Sequence, residues 1–157
     1  MFGQLQVLCK RFGRSDGGSV ILEFVALLPL LFIFLFLMIG IGQALWYHQV
    51  ITGGVRDGVR YLSRAPLEDP FIQSAKVIAL TGDPSGGSPA FVFWNDPDTI
   101  EVELTPLDHG GAFRGPDPLT IIRMTAAVPV TIPVLDFFGL DPDLTLRATD
   151  RARHIGE

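Results

Sequence analysis

The side chains able to do chemistry are few, and their spacing limits what they can do. The three histidines, His48, His109 and His154, are scattered and have no partner at metal-ligand spacing. The run Asp108-His109-Gly110-Gly111 has the look of a site fragment, but glycine-flanked Asp-His in a hairpin is turn chemistry. Glu101 and Glu103 fall on one face of an alternating segment, the spacing of a carboxylate pair, and a solvated strand face accounts for them more simply. No phosphate-cradling glycine loop sits between strand and helix. The single cysteine, Cys9, precedes the apolar run and has no thiol partner. No catalytic constellation, metal or cofactor is expected. One reactive group is left over, the carboxylate Glu23, which stands at the mouth of the run "GGSVILEFVALLPLLFIFLFLMIG".

That run is the element that must position it. No charged side chain occurs from Val25 to Tyr47. A bilayer core about 30 Å thick needs roughly 20 helical residues, so this stretch is long enough to span one. Fourteen Leu, Ile, Phe and Val residues lie between Val25 and Leu45. At roughly −0.3 to −0.6 kcal/mol each they outweigh one carboxylate near the end of the span. Lys10, Arg11 and Arg14 precede it, whereas Arg56, Arg60 and Arg64 follow at a distance and are interleaved with acids. The positive-inside rule therefore favours a cytoplasmic N-terminus and an exported C-terminal portion. The expected organisation is a basic leader over 1–18, a transmembrane helix over 19–47 and an exported domain over 48–157. From His48 onward there are 9 basic and 15 acidic residues, a net charge of −6 that argues against nucleic acid as a partner. With no cysteine there, that domain must hold together without disulfides.

The helix is expected to begin near Ser19 or just before it, capped by Ser15 or Asp16. Pro29 removes a hydrogen bond and can kink it. Beyond Tyr47, either the helix frays or it continues, with Ile51, Val55, Val59 and Leu62 forming an apolar stripe. Arg56, Arg60 and Arg64 would then lie on another face, and Gly53, Gly54 and Gly58 are candidates for close packing. Ala65-Pro66 ends this helix. A second, shorter one follows in "EDPFIQSAKVIALTG", with Asp69 as N-cap, Pro70 at the first helical position and Gly82 as the stop. Its expected buried face is Phe71, Ala75, Val77 and Ile78. "GDPSGGSP" is a loop by composition.

The period then changes to two. "TIEVELTPL" sets Ile100, Val102 and Leu104 against Glu101, Glu103 and Thr105. "LTIIRMTAAVPVTI" is a longer strand in which Pro129 signals an edge or a bulge. "LTLRATDRAR" sets Leu144, Leu146 and Ala148 against Thr145, Arg147 and Thr149. Between the last two, "IPVLDFFGL" carries Val134, Leu135, Phe137, Phe138 and Leu140, to be buried or to form an exposed patch. Three antiparallel strands with one apolar face need a cover, and the extended N-terminal helix is the candidate. The fold class is α+β, a long helix on a small antiparallel meander.

The basic leader, Gly18, then Glu23 and Phe24 before an unbroken apolar helix, resembles the class III signal of type IV prepilins. Three features in order are similar to the TadE-like pseudopilins of tight-adherence (Flp) pilus systems. They are the opening "GGSVILEFVALLPLLFIFLFLMIGIGQALW", the post-membrane element "VRDGVRYLS" (Arg56, Asp57, Gly58, Arg60 and Tyr61), and the C-terminal "MTAAVPVTIPVLDFFGLDPDLTLRATDRAR". Asp57 and the glycines depart from the family's "A-R-E-G-A-R-Y" pattern. The resemblance implies cleavage by a prepilin peptidase between Gly18 and Ser19, leaving Glu23 fifth and Pro29 eleventh. It further implies that Glu23 meets the new N-terminal amine of a neighbouring subunit, where a buried carboxylate would otherwise be costly. Without that resemblance, Glu23 is equally an acid resting in the headgroup zone.

The expected protein is a single-pass pseudopilin or minor pilin of the bacterial inner membrane with no catalysis of its own. Its N-terminus would be cytoplasmic and its C-terminal domain periplasmic, with a role at the base of a pilus or within the fibre. Its partners would be the lipid bilayer, a prepilin peptidase, other pilins or pseudopilins, and the pilus assembly machinery. Two other readings exist. One is a domain secreted after cleavage at "GQA" near Ala44, although the apolar run exceeds the usual h-region. The other is a membrane-anchored periplasmic enzyme or binding domain with no pilus role.

Overall fold

A computed structural model describes residues 16–108, 110–111 and 118–156, with residues 16–19 described through their backbone. Cys9, Lys10, Arg11, Arg14, Ser15 and His109 lie outside the described residues. The elements in chain order are α1 (Asp16–Leu62), α2 (Asp69–Thr81), β1 (Ile100–Leu107), β2 (Leu119–Thr131), α3 (Pro133–Asp136) and β3 (Asp143–Arg153). The fold is α+β. Two compact units divide the chain, residues 1–41 and 42–157.

Helix α1 runs without interruption through Pro29 and through the glycines after Tyr47. In the first unit its large apolar side chains from Val20 to Ile41 are exposed, with Leu28 and Leu37 half-buried. That much contiguous apolar surface is untenable in water and calls for an apolar surrounding.

In the second unit, the sequence stripe on α1 is the spine of the core. Ile51, Val55, Val59 and Leu62 are each 1% exposed or less. They share one hydrophobic cluster with Ala75, Ala79 and Leu80 of α2 and with Ile100, Ile122, Met124, Ala126, Val128 and Ala148 of the sheet. The helix therefore supplies the cover that the apolar sheet face needs, and the burial of this face is what carries it past the three glycines. Two of those glycines are contact points. A Cβ at Gly54 would run into the Ala79 carbonyl oxygen and come 2.7 Å from the Trp94 ring, and one at Gly58 would lie 2.9 Å from both the Ala75 oxygen and the Met124 sulfur. At Gly53 there is nothing within 4 Å. Arg56 and Arg60 face outward as expected, while Arg64 lies past the end of α1 and is also exposed.

Helix α2 starts one residue earlier than its sequence signals indicate. Its N-cap is Glu68, which makes no side-chain capping bond, so Asp69 occupies the first turn and Pro70 the second position. An acid in the first turn still suits the helix dipole. Gly82 closes α2 at φ 74°, its N–H donating to the Ile78 carbonyl. The buried face is Ala75, Ile78, Ala79 and Leu80, with Phe71 packed at its rim and Val77 only half-buried.

The sheet is an antiparallel meander in the order β1-β2-β3. Ile100 pairs with Ala126 and Leu107 with Leu119, then Ile121 with Arg153 and Thr131 with Asp143, in unbroken register. There is accordingly no bulge at Pro129. β1 ends opposite Ala126, so at Pro129 strand β2 has β3 alone beside it and is itself an edge. In the inter-strand segment, α3 is a single turn, Phe137 and Leu140 are exposed, and Val134, Leu135 and Phe138 are half-buried.

The residues after β3 return to the end of α1. The Ile155 and Gly156 amides donate to the Ser63 carbonyl at 2.8 and 3.2 Å, and the His154 Nε2 lies 3.0 Å from the Ala65 oxygen. These bonds tie the C-terminal residues to the chain just past the end of α1.

Candidate processing and assembly segment

The Gly18–Ser19 bond lies in the first turn of α1, which opens at Asp16. Helix termini fray, and each glycine costs about 1 kcal/mol of helix stability relative to alanine. The pair Gly17-Gly18 thus makes this turn the cheapest part of α1 to open. Glu23 stands one helical turn beyond Ser19, since residues four apart share a face. It is exposed, flanked by exposed Leu22 and Phe24, and among the described residues no group pairs with it. Pro29 continues the same helix and brings no N–H to the carbonyl one turn back.

The element from Arg56 to Tyr61 divides by face. Gly58 is buried between α2 and Met124, and Tyr61 packs half-buried on the core cluster. Arg56, Asp57 and Arg60 point outward and make no ion pair among the described residues. The fold thus separates the candidate residues. Gly18, Ser19, Glu23, Phe24 and Pro29 belong to the first unit, and Arg56 to Tyr61 belong to the second.

Elsewhere among the described residues the other polar candidates are paired or solvated. Glu103 forms an ion pair with Arg123 across the strands at 3.2 Å, and both are exposed. Among the described residues no group of histidine, cysteine and acidic side chains could hold a metal ion. His48 is exposed, and His154 serves the tail contact described above. An open depression on the outer sheet face is lined by Arg123, Thr125, Thr149, Asp150 and Arg151.

Residues 18–60 match the model of the family described as TadE-like protein. Over this stretch the chain is similar to that family. The TadE-like match opens on Gly18 and takes in Glu23, the whole apolar run and the post-membrane element as far as Arg60. The TadE-like family is a pilus-associated structural family, and its link is to the Tad (Flp) pilus systems. No curated protein and no solved structure matches the chain.

One feature near residues 18–60 carries no periodic signal in the sequence. Phe91 and Phe93, just past the loop "GDPSGGSP", gather on Trp46 and Tyr47 of α1, with Tyr47 and Phe93 ring centroids 4.2 Å apart. The available signal was the apolar tetrapeptide "FVFW" in a stretch otherwise rich in turn residues.

Proposed function

We propose that this protein is a membrane-anchored, pseudopilin-like component of Flp (tight-adherence) pilus assembly or secretion. In this reading residues 1–18 are a cytoplasmic leader removed by a prepilin peptidase after Gly18. Residues 19–47 cross the inner membrane, and residues 48–157 are periplasmic. The observation that carries it is the TadE-like match, which begins at the glycine read as the cleavage site and runs through Glu23 to Arg60. The exposure of nearly every large side chain from Val20 to Ile41 supports a lipid or helix-bundle environment for the span.

Cleavage would make Ser19 a charged amine at the start of α1, one turn from Glu23. Pairing the Glu23 carboxylate with the amine of a neighbouring subunit removes two unpaired charges from an apolar bundle. Because a helix can satisfy that pairing at only one axial offset, it sets the register between subunits. Arg56, Asp57 and Arg60, exposed on α1, are then available to other pilins, pseudopilins or the assembly machinery.

N-terminal sequencing of the membrane-extracted protein tests the reading. A mature terminus at Ser19 is expected in cells with an active prepilin peptidase, and Gly18→Trp is expected to leave the chain intact. An unprocessed Met1 terminus in such cells would overturn the processing step, and a soluble product beginning at Leu45 would establish a secreted domain instead.

A further inference from the structure

The tetrapeptide Phe91–Trp94 folds as a tight turn, with the Trp94 amide donating to the Phe91 carbonyl at 3.2 Å. Turn tips are ordinarily Gly, Pro, Asn, Asp or Ser. Here the tip is Val92, 93% exposed, between two phenylalanines. The turn is nonetheless held firmly. Trp94 is 2% exposed, occupies the space that Gly54 leaves open, and donates from its indole nitrogen to Thr99 Oγ1 at 3.0 Å. The Ala90 amide donates to the Leu80 carbonyl at 2.9 Å.

The two fastenings differ in height along α1. Trp94 meets the helix at Gly54, whereas Phe91 and Phe93 meet it at Trp46, with centroids 5.6 and 6.0 Å away, and at Tyr47. Eight residues of helix separate Trp46 from Gly54, about 12 Å of axial rise. The turn therefore runs back along α1 toward the apolar run, carrying Val92 with it. Trp46 and Leu45 beside it are themselves more than half exposed, so the turn adjoins exposed apolar surface on this part of α1.

The partner follows from depth, and this step rests on the membrane-spanning reading of α1. Taking Glu23 as one boundary, about 20 helical residues cross the hydrocarbon and place its far edge near Gln43. Trp46 and Tyr47 then lie about 5 Å beyond that edge, within a headgroup zone roughly 5–7 Å deep. Amphipathic aromatics are favoured at that level. No charged residue occurs from Pro84 to Asn95, so the turn brings no ionic group into the interface.

We propose that the Phe91–Phe93 turn is a second membrane contact, seating Val92 in the lipid interface of the far leaflet beside Trp46. The exported domain is then held to the bilayer at two points. This orients its outer sheet face, which a single helix alone would leave free to rotate and tilt.

The test uses the full chain with Cys9→Ser and a single cysteine introduced by Val92→Cys, Leu35→Cys or Thr145→Cys. Each variant is labelled with a polarity-sensitive NBD probe and reconstituted at low density in phosphatidylcholine vesicles. The probe at 92 is expected to emit at shorter wavelength than the one at 145. It should also be quenched by lipids brominated near the carbonyl end of their chains, and little by aqueous iodide. If the probe at 92 behaves like that at 145 while the probe at 35 is quenched by lipid, the proposal is overturned and the span stands. Protection of 92 from both quenchers would mean that protein rather than lipid covers it, which also overturns the proposal. Exposure of 35 to iodide would remove the span and the proposal together.

Discussion

Gly53 and Gly54 are neighbours in α1 yet meet different surroundings. Alanine at 53 enters open space, so the gain in helix propensity is expected to appear as about 0.5–1 kcal/mol of added stability. Alanine at 54 would drive into the Ala79 carbonyl oxygen and the Trp94 ring, and overpacking of this kind costs about 1–3 kcal/mol, more than the propensity returns. Thermal unfolding of the two purified variants in detergent should shift in opposite directions; a rise for Gly54→Ala would show that the contact yields easily. Glu23 is a second case in which type and place must be read together. Glu23→Leu removes the carboxylate from an exposed site on α1, so folding and insertion are expected to be unchanged. Processing is expected to continue, and incorporation into pilus assemblies to be lost, measured by comparing cleaved membrane protein with pilus yield. Unchanged pilus yield with complete processing would place Glu23 outside assembly.

Secondary structure was legible wherever the pattern had a period. The four-and-three spacing of Ile51, Val55, Val59 and Leu62 and the alternation at Ile100 and Val102 point inward, whereas Leu104 is 37% exposed and lies outside the core cluster. Terminal signals were less legible. Asp69 and Glu68 are both acids able to precede Pro70, and sequence alone does not say which carries extended backbone angles; the structure gives that place to Glu68, at φ −107° and ψ 155°. Nothing in the sequence marks residues 154–156 as a clamp, because backbone amides carry no signature in side-chain types. Deleting residues 154–157 frees the Ser63 and Ala65 carbonyls. It is expected to cost about 1–3 kcal/mol and to speed amide hydrogen exchange in the last turn of α1. Exchange that stays slow there would mean that the core alone holds the helix end.

In the proposed reading, the acidic portion from His48 onward and the basic residues of 1–18 together predict one orientation across the membrane. A reporter fused after Arg153 should be active only if it is periplasmic, and alkaline phosphatase should be active there while a cytoplasm-dependent reporter stays dark. Replacing Lys10, Arg11 and Arg14 with glutamine is expected to lower the fraction of correctly inserted chains, since these are the basic residues that precede the span. An orientation indifferent to those changes would mean that the charges of the leader do not set the topology.

Read alone, the amino-acid order establishes the apolar run, the placement of Glu23 behind Gly18, the apolar stripe from Ile51 to Leu62 and the meander; that the helix continues through that stripe rather than fraying is decided by the structure. Each of these depends on local composition or on a repeat that one element imposes on its own residues. Contacts between residues far apart in the chain carry no such repeat. The seating of Trp94 at Gly54, the packing of Gly58 on Met124, the return of the tail to Ser63 and the gathering of Phe91 and Phe93 on Trp46 and Tyr47 are all of this kind. They depend on which surfaces meet once the core closes, and shape complementarity at a distance leaves no period in the sequence to read.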